Sequence, residues 1–272
     1  MLFRSFSKTS NSLLMAGNEA TVINYLFSRL NVINLQYIGL LAKIEIPYGN
    51  LKKNITDESE IGSYFPDDCH KKADVYLNSK GVSIKQIGSS FAYNRLQRQG
   101  LLNVIASLDL ENSTDLINSF DKEVLKFHRG ELESRDRNWS EFLTESDFKS
   151  ILEYFMLRGS ATRGDSKFPA EYILEATVNP SQDSDIEVFT FDDYFDRYKN
   201  SFKISIRRVW YGQISNSEHR RAKSLIKKPE NLIWVLNEVA GEPSPNSKGE
   251  RWRMNIQEKE RKTVYFLMLT KV

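Results

Sequence analysis

An α/β fold is what the patterning of this chain predicts, on three observations. Strand-like and helix-like periods interleave from end to end. The composition is that of a globular protein with a substantial core, 40% hydrophobic and 27% charged over 272 residues. No apolar run approaches the roughly 20 residues that a membrane helix requires. Proline and glycine do not gather into a linker, and no internal repeat or low-complexity tract occurs. One domain over residues 1–272 is therefore expected.

The first 18 residues hold arginine, lysine and serines but no acid, as a mitochondrial transit peptide does. They run directly into an amphipathic pattern, so a folded N-terminus is expected instead. AGNEATVINYLFSRLNVINLQYIGLL carries apolar residues at helical spacing from Val22 to Leu30, and predicts one long helix or two short ones. Residues 47–71 contain Pro47, Gly49, Gly62 and Pro66, which predicts loops with at most a short helix.

In KADVYLNSKGVSIKQIGSS the period falls to 2. Asp74, Tyr76 and Asn78 share one face and Val75 and Leu77 the other. Asn78-Ser79-Lys80-Gly81 has hairpin-turn composition, with Gly81 suited to positive φ. Beyond the turn, Val82, Ile84 and Ile87 are expected in the core, with Ser83 and Lys85 together on the opposite face.

SSFAYNRLQRQGLLNVIASL predicts a helix capped by Ser89 or Ser90. Residues 113–157 suit helices, the first capped at Ser113 or Thr114. A glycine-bearing turn region, RGSATRGDSKFPAEY, precedes the apolar run YILEATV. FKISIRRVWYGQIS and KTVYFLMLTKV read as strands, separated by ENLIWVLNEVAG and the turn-rich GEPSPNSKGERWR.

Charge is distributed unevenly. The net +2 combines 11 bases against 20 acids in residues 111–200 with 15 against 7 in residues 201–272. Such a chain can offer a basic surface to a polyanion while staying near neutral overall. Cys69 is the only cysteine, which excludes intramolecular disulfides, points to a reducing compartment and argues against a zinc site. His70, His128 and His219 lie far apart with no nucleophile signature around them, and RGSATRG lacks the Lys-Ser/Thr ending of a phosphate loop.

An acid at a strand start and an x-Lys pair on the next strand can hold a divalent metal against a phosphate. On those residues the hairpin resembles the core of the PD-(D/E)XK nucleases, with Asp74, Ser83 and Lys85 at the motif positions. GNEATVINYLFSRL is similar to that family's N-terminal helix, where an acid near the start, here Glu19, often joins the site. The order of segments is most similar to the small type II restriction endonucleases that cut four-base GC-rich palindromes. LRGSATRGDSKFPAEYILEA also resembles an LRG…RGD…AEW stretch of one such enzyme.

The resemblance implies a restriction-endonuclease-like central mixed β-sheet flanked by helices. It implies Mg²⁺-dependent hydrolysis of double-stranded DNA at a short site, leaving 5′-phosphate ends, within a prokaryotic cytoplasmic restriction–modification system. A homodimer on a palindromic site and no membrane partner are expected with it. Asp74, Ser83, the Ile84 backbone carbonyl and Glu19 would form the metal shell. Asp74, Ser83, Lys85 and Glu19 would carry catalysis.

Ser83 departs from the family pattern, which has Asp or Glu there, and Glu19 with the Ile84 carbonyl would have to complete the shell. A literal Pro66-Asp67 makes Asp67 a rival ligand. Asp74 is preferred because it leads directly into VYL. For DNA reading, the polar stretch QIGSSFAYNRLQR supplies Gln86, Ser89 and Ser90. Asn94, Gln97 and Arg98 follow at i, i+3 and i+4 of the expected helix, with Arg95 beside them. Lys248, Arg251 and Arg253 are expected on phosphates. The alternatives are a structure-directed repair or recombination nuclease on the same core, and a DNA-binding module without catalysis.

Overall fold

The computed structural model describes residues 18–61, 71–88, 92–110, 112–211, 216–237, 257 and 260–272. Within them lie helices α1 (Glu19–Ser28), α2 (Arg98–Ser107), α3 (Ser113–His128), α4 (Glu145–Glu153), α5 (Phe191–Tyr198) and α6 (Asn216–Ile226). The strands are β1 (Asn34–Leu35), β2 (Gly39–Leu40), β3 (Ile44–Tyr48), β4 (Leu51–Asn54), β5 (Val75–Leu77), β6 (Lys80–Gln86), β7 (Ala92–Leu96) and β8 (Asp136–Asn138). They continue with β9 (Gly159–Ser160), β10 (Gly164–Asp165), β11 (Tyr172–Ala176), β12 (Ile186–Phe189), β13 (Phe202–Trp210), β14 (Val235–Asn237) and β15 (Lys262–Lys271). The α/β class is as expected. The chain divides into two compact units, residues 1–89 with 166–192, and residues 90–165 with 193–272.

The first unit is built on a six-stranded mixed sheet in the order β12-β11-β6-β5-β3-β4. Only β11 and β6 run parallel, and the other neighbours are antiparallel. Val22, Ile23 and Leu26 form the buried stripe of α1 and pack with Val75, Leu77, Val82, Ile84, Leu174, Ala176, Ile186 and Val188. That alternation fixes register: Val82 and Ile84 face the core, so Ser83 and Lys85 must face the other side.

The β5–β6 hairpin has a two-residue loop. Asn78 (φ 48°) and Ser79 (φ 70°) both take positive φ, as a type I′ turn requires. Gly81 is therefore not the positive-φ residue. It is needed for space, since a Cβ there would lie 2.4 Å from the Pro169 carbonyl oxygen. Ile87 is 46% exposed and does not join the core, because β6 ends at Gln86.

Two further expectations in this unit are corrected. The N-terminal helix stops at Ser28, and Asn31–Leu41 forms turns and the small β1–β2 hairpin. Asn31 and Tyr37 sit at positive φ and the Asn31 N–H donates to the Leu41 carbonyl, which a continuing helix forbids. Residues 44–54 form the β3–β4 hairpin around Gly49 (φ 60°), followed by the short helical turn Glu58–Glu60. Pro47 is tolerated in β3 because β5 pairs only with Ile44 and Glu45.

The second unit holds a five-stranded antiparallel sheet, β14-β15-β13-β8, with β7 also on β15. Ala222 and Leu225 of α6 pack with Val209, Val264 and Phe266. His128 of α3 is buried and its Nδ1 lies 2.9 Å from the Tyr265 hydroxyl, a core role in line with the absence of any nucleophile pattern. Here the expected helix from Ser89 is corrected. Residues 92–96 form strand β7 and the helix starts only at Arg98, because Leu96, like Tyr93, pairs with β15.

Candidate active site

The site grows from the place where β5 ends and β6 continues. β5 starts at Val75, so the Ile84 N–H on β6 has no strand partner there, and the Asp74 carboxylate supplies one. Asp74 Oδ2 accepts from Ile84 N at 2.7 Å and from Ser83 Oγ at 3.4 Å. The Lys85 ammonium donates to Ser83 Oγ at 2.8 Å and to the Ile84 carbonyl at 3.1 Å. Ser83 is only 2% exposed. These four groups were expected together from the sequence, and the structure brings them together.

Glu19 is the first residue of α1. Buried Asn18 pins that end by donating from Nδ2 to the Thr177 carbonyl at 2.8 Å, just past β11. Burial first, and the nearby Asp74 charge second, raise the Glu19 carboxyl to about 7, against the pull of Lys71 and Lys85. A bound cation would oppose both causes, burial first and the Asp74 charge second, by favouring the ionised carboxylate.

Two residues that sequence reasoning missed also belong here. Burial and the Lys85 charge lower Lys72 to about 8, with Asp74 opposing. Glu175 is 2% exposed and stands opposite Lys85 in the parallel β11–β6 register, so the two share a face on adjacent strands. Both signals were visible: a Lys-Lys pair just before the acid, and one acid inside the apolar run YILEATV.

Asp74, Glu19, the Ser83 hydroxyl and the Ile84 carbonyl are all hard oxygen donors, and two carboxylates suit an ion that keeps several of its waters. Among the described residues no three carboxylates, imidazoles or thiols converge as a metal group. Oxygen donors of this kind could hold Mg²⁺, the metal that the sequence resemblance implies. In the structure the Lys85 ammonium lies against two of those oxygens, so cation binding requires its displacement.

The residues expected to read DNA are scattered. Gln86 is on β6 of the first unit, half-buried and opposite Ala176. Asn94 and Arg95 are on β7 and Gln97 precedes α2, which removes their helical grouping. Arg98 forms a fork with Asp121, Nε at 2.9 Å from Oδ1 and Nη2 at 2.9 Å from Oδ2, and the Trp234 indole also donates to Asp121 at 2.7 Å. Asp67, Ser89, Ser90, Lys248, Arg251 and Arg253 lie outside the described residues.

Comparison with protein-family models, with curated proteins and with solved structures returns no match. Among the described residues no helix is long and apolar enough to cross a membrane.

Proposed function

We propose that this chain is a Mg²⁺-dependent endonuclease of the type II restriction class, hydrolysing phosphodiester bonds of double-stranded DNA at a short site. One observation carries the reading. Asp74, just before β5, meets Ser83 and Lys85 of β6, and their charges act on Glu19 at the start of α1. The resemblance of KADVYLNSKGVSIKQ to the PD-(D/E)XK pattern supports it.

In this reading Asp74 and Glu19 hold the cation, with Ser83 Oγ and the Ile84 carbonyl completing the protein's share. When bound, Mg²⁺ supplies Lewis acidity at a phosphoryl oxygen and charge neutralisation. Lys85, released from Ser83 and Ile84, turns its ammonium to the phosphate and orients the attacking water. Lys72 adds positive charge beside it. Ser83 contributes no charge, so Glu19 is the second anionic ligand.

The test is a plasmid digest with Mg²⁺ and with EDTA, using wild type and Asp74→Asn. Discrete Mg²⁺-dependent fragments that vanish in Asp74→Asn support the proposal. Nicks or smears assign the core to a structure-directed nuclease, and intact DNA with retained binding assigns it to a non-catalytic module.

A further inference from the structure

The second unit carries a cleft of about 510 Å³ in which arginines and aromatic rings alternate. β8 pairs with β13 over Lys203–Ser205 and the Ile206 N–H donates to the Arg135 carbonyl, so among the described residues no strand covers that edge of β13 from Arg207 to Trp210. Arg207 pairs in register with Phe266 of β15, and the Arg95 guanidinium of β7 lies 5.1 Å over the Phe266 ring. Arg95, Phe266 and Arg207 therefore share one face of the sheet across three strands, with Arg95 placed diagonally. On the opposite face of β13, around its open edge, the Arg208 guanidinium lies 5.1 Å over Trp210 and 5.5 Å over Phe127.

Two of these arginines, Arg135 and Arg207, share one acid. No acidic side chain lines the cleft among the described residues. Asp136, just outside, is shared by Arg135 at 3.6 Å and Arg207 at 3.8 Å, both beyond hydrogen-bond length. Arg207 Nε is buried without a hydrogen-bond partner among the described residues.

We propose that this cleft binds an unpaired nucleic-acid strand that crosses the open edge of β13, with Arg95, Arg135 and Arg207 on its phosphates and the Arg208–Trp210–Phe127 stack against a base. Guanidinium forks match phosphate oxygens, and both aromatic faces and guanidinium planes stack on bases. A duplex keeps its base faces stacked inside and gains nothing from the rings. An acidic peptide satisfies the arginines but leaves the rings without a flat partner. The inference does not depend on cleavage by the first unit.

The experiment is fluorescence anisotropy in EDTA with a labelled single-stranded oligonucleotide and with the duplex of the same sequence. Wild type, Arg95→Ala, Arg207→Ala and Trp210→Ala are compared, each checked by its melting curve. Tighter binding of the single strand is expected, weakened about tenfold by Trp210→Ala. Each arginine variant should flatten the salt slope by about 0.7 per lost phosphate contact. If Trp210→Ala or Arg207→Ala does not fold, exposed Arg95 still gives the salt-slope reading. Equal or tighter binding of the duplex overturns the proposal, as does wild-type affinity in the folded variants. A plasmid left intact in the Mg²⁺ digest would defeat the nuclease reading and leave this binding result unaffected.

Discussion

Glu19 is the residue at which the site's electrostatics become measurable. Its carboxyl titrates near 7 in the folded protein and near 4.5 when free, so the folded state binds the proton more tightly. Stability therefore falls as pH rises from about 4.5 to 7, and the loss is complete above that window. Glu19→Gln should raise the melting temperature at pH 8, by roughly 2–5 °C after allowance for partial solvent screening, and change little at pH 4. Equal shifts at both pH values would show that charge is not the cause. Mg²⁺ should stabilise wild type at pH 8 more than Glu19→Gln, by the same linkage. Lys85 gives the opposite separation. Lys85→Ala should lower cleavage by ~10² or more while DNA binding stays within a few-fold. Because the ammonium lies against Ser83 Oγ and the Ile84 carbonyl, Mg²⁺ affinity should hold or improve. Weaker Mg²⁺ binding in Lys85→Ala, read by titration calorimetry, would contradict the assigned geometry.

At the scale of elements, the β5–β6 hairpin was the most legible part of the chain, because period-2 alternation and an Asn-Ser turn act over a few residues. What the turn could not reveal was why Gly81 is glycine. Pro169 comes against it from far along the sequence, and its carbonyl leaves no room for a methyl group. Gly81→Ala should cost roughly 1–3 kcal/mol in denaturant midpoint and reduce cleavage with it, since β6 would shift against β11. Retained midpoint and activity would show that the Pro169 segment yields easily. AYNRL forms a strand where a helix is expected, because its spacing fits both periods, and pairing of Tyr93 and Leu96 with β15 decides the matter from residues 267–269. The same distance effect hid the partner of Arg98. Arg98→Ala should destabilise the protein by about 2–4 kcal/mol, because Asp121 would keep a half-buried charge with the Trp234 indole as its remaining side-chain donor among the described residues. An unchanged melting curve with altered DNA affinity would return Arg98 to DNA reading.

Over the whole molecule, the two units differ in charge as well as topology. The first carries 11 lysines and arginines against 14 acids, and the second 27 against 22. The basic excess seen along the sequence thus belongs to the unit that holds the arginine-lined cleft. Division into units was not legible, because the first is assembled from segments on either side of residues 90–165 and no linker composition marks the crossing. That arrangement sets an order in time. β6 emerges from the ribosome with the Asp74–Lys85 group already encoded, but its parallel neighbour begins only at Tyr172. At about 5–20 residues per second the interval is roughly 4–17 s. A chain ended at residue 171 should therefore leave residues 75–86 open to limited proteolysis, and protection of that stretch would show that β6 is secure without β11. The N-terminus of α1 waits as well, since Asn18 bonds the Ala176 and Thr177 carbonyls. The Asn18 anchor of Glu19 cannot form until translation has passed them, so the candidate site is among the last parts of the first unit to be completed.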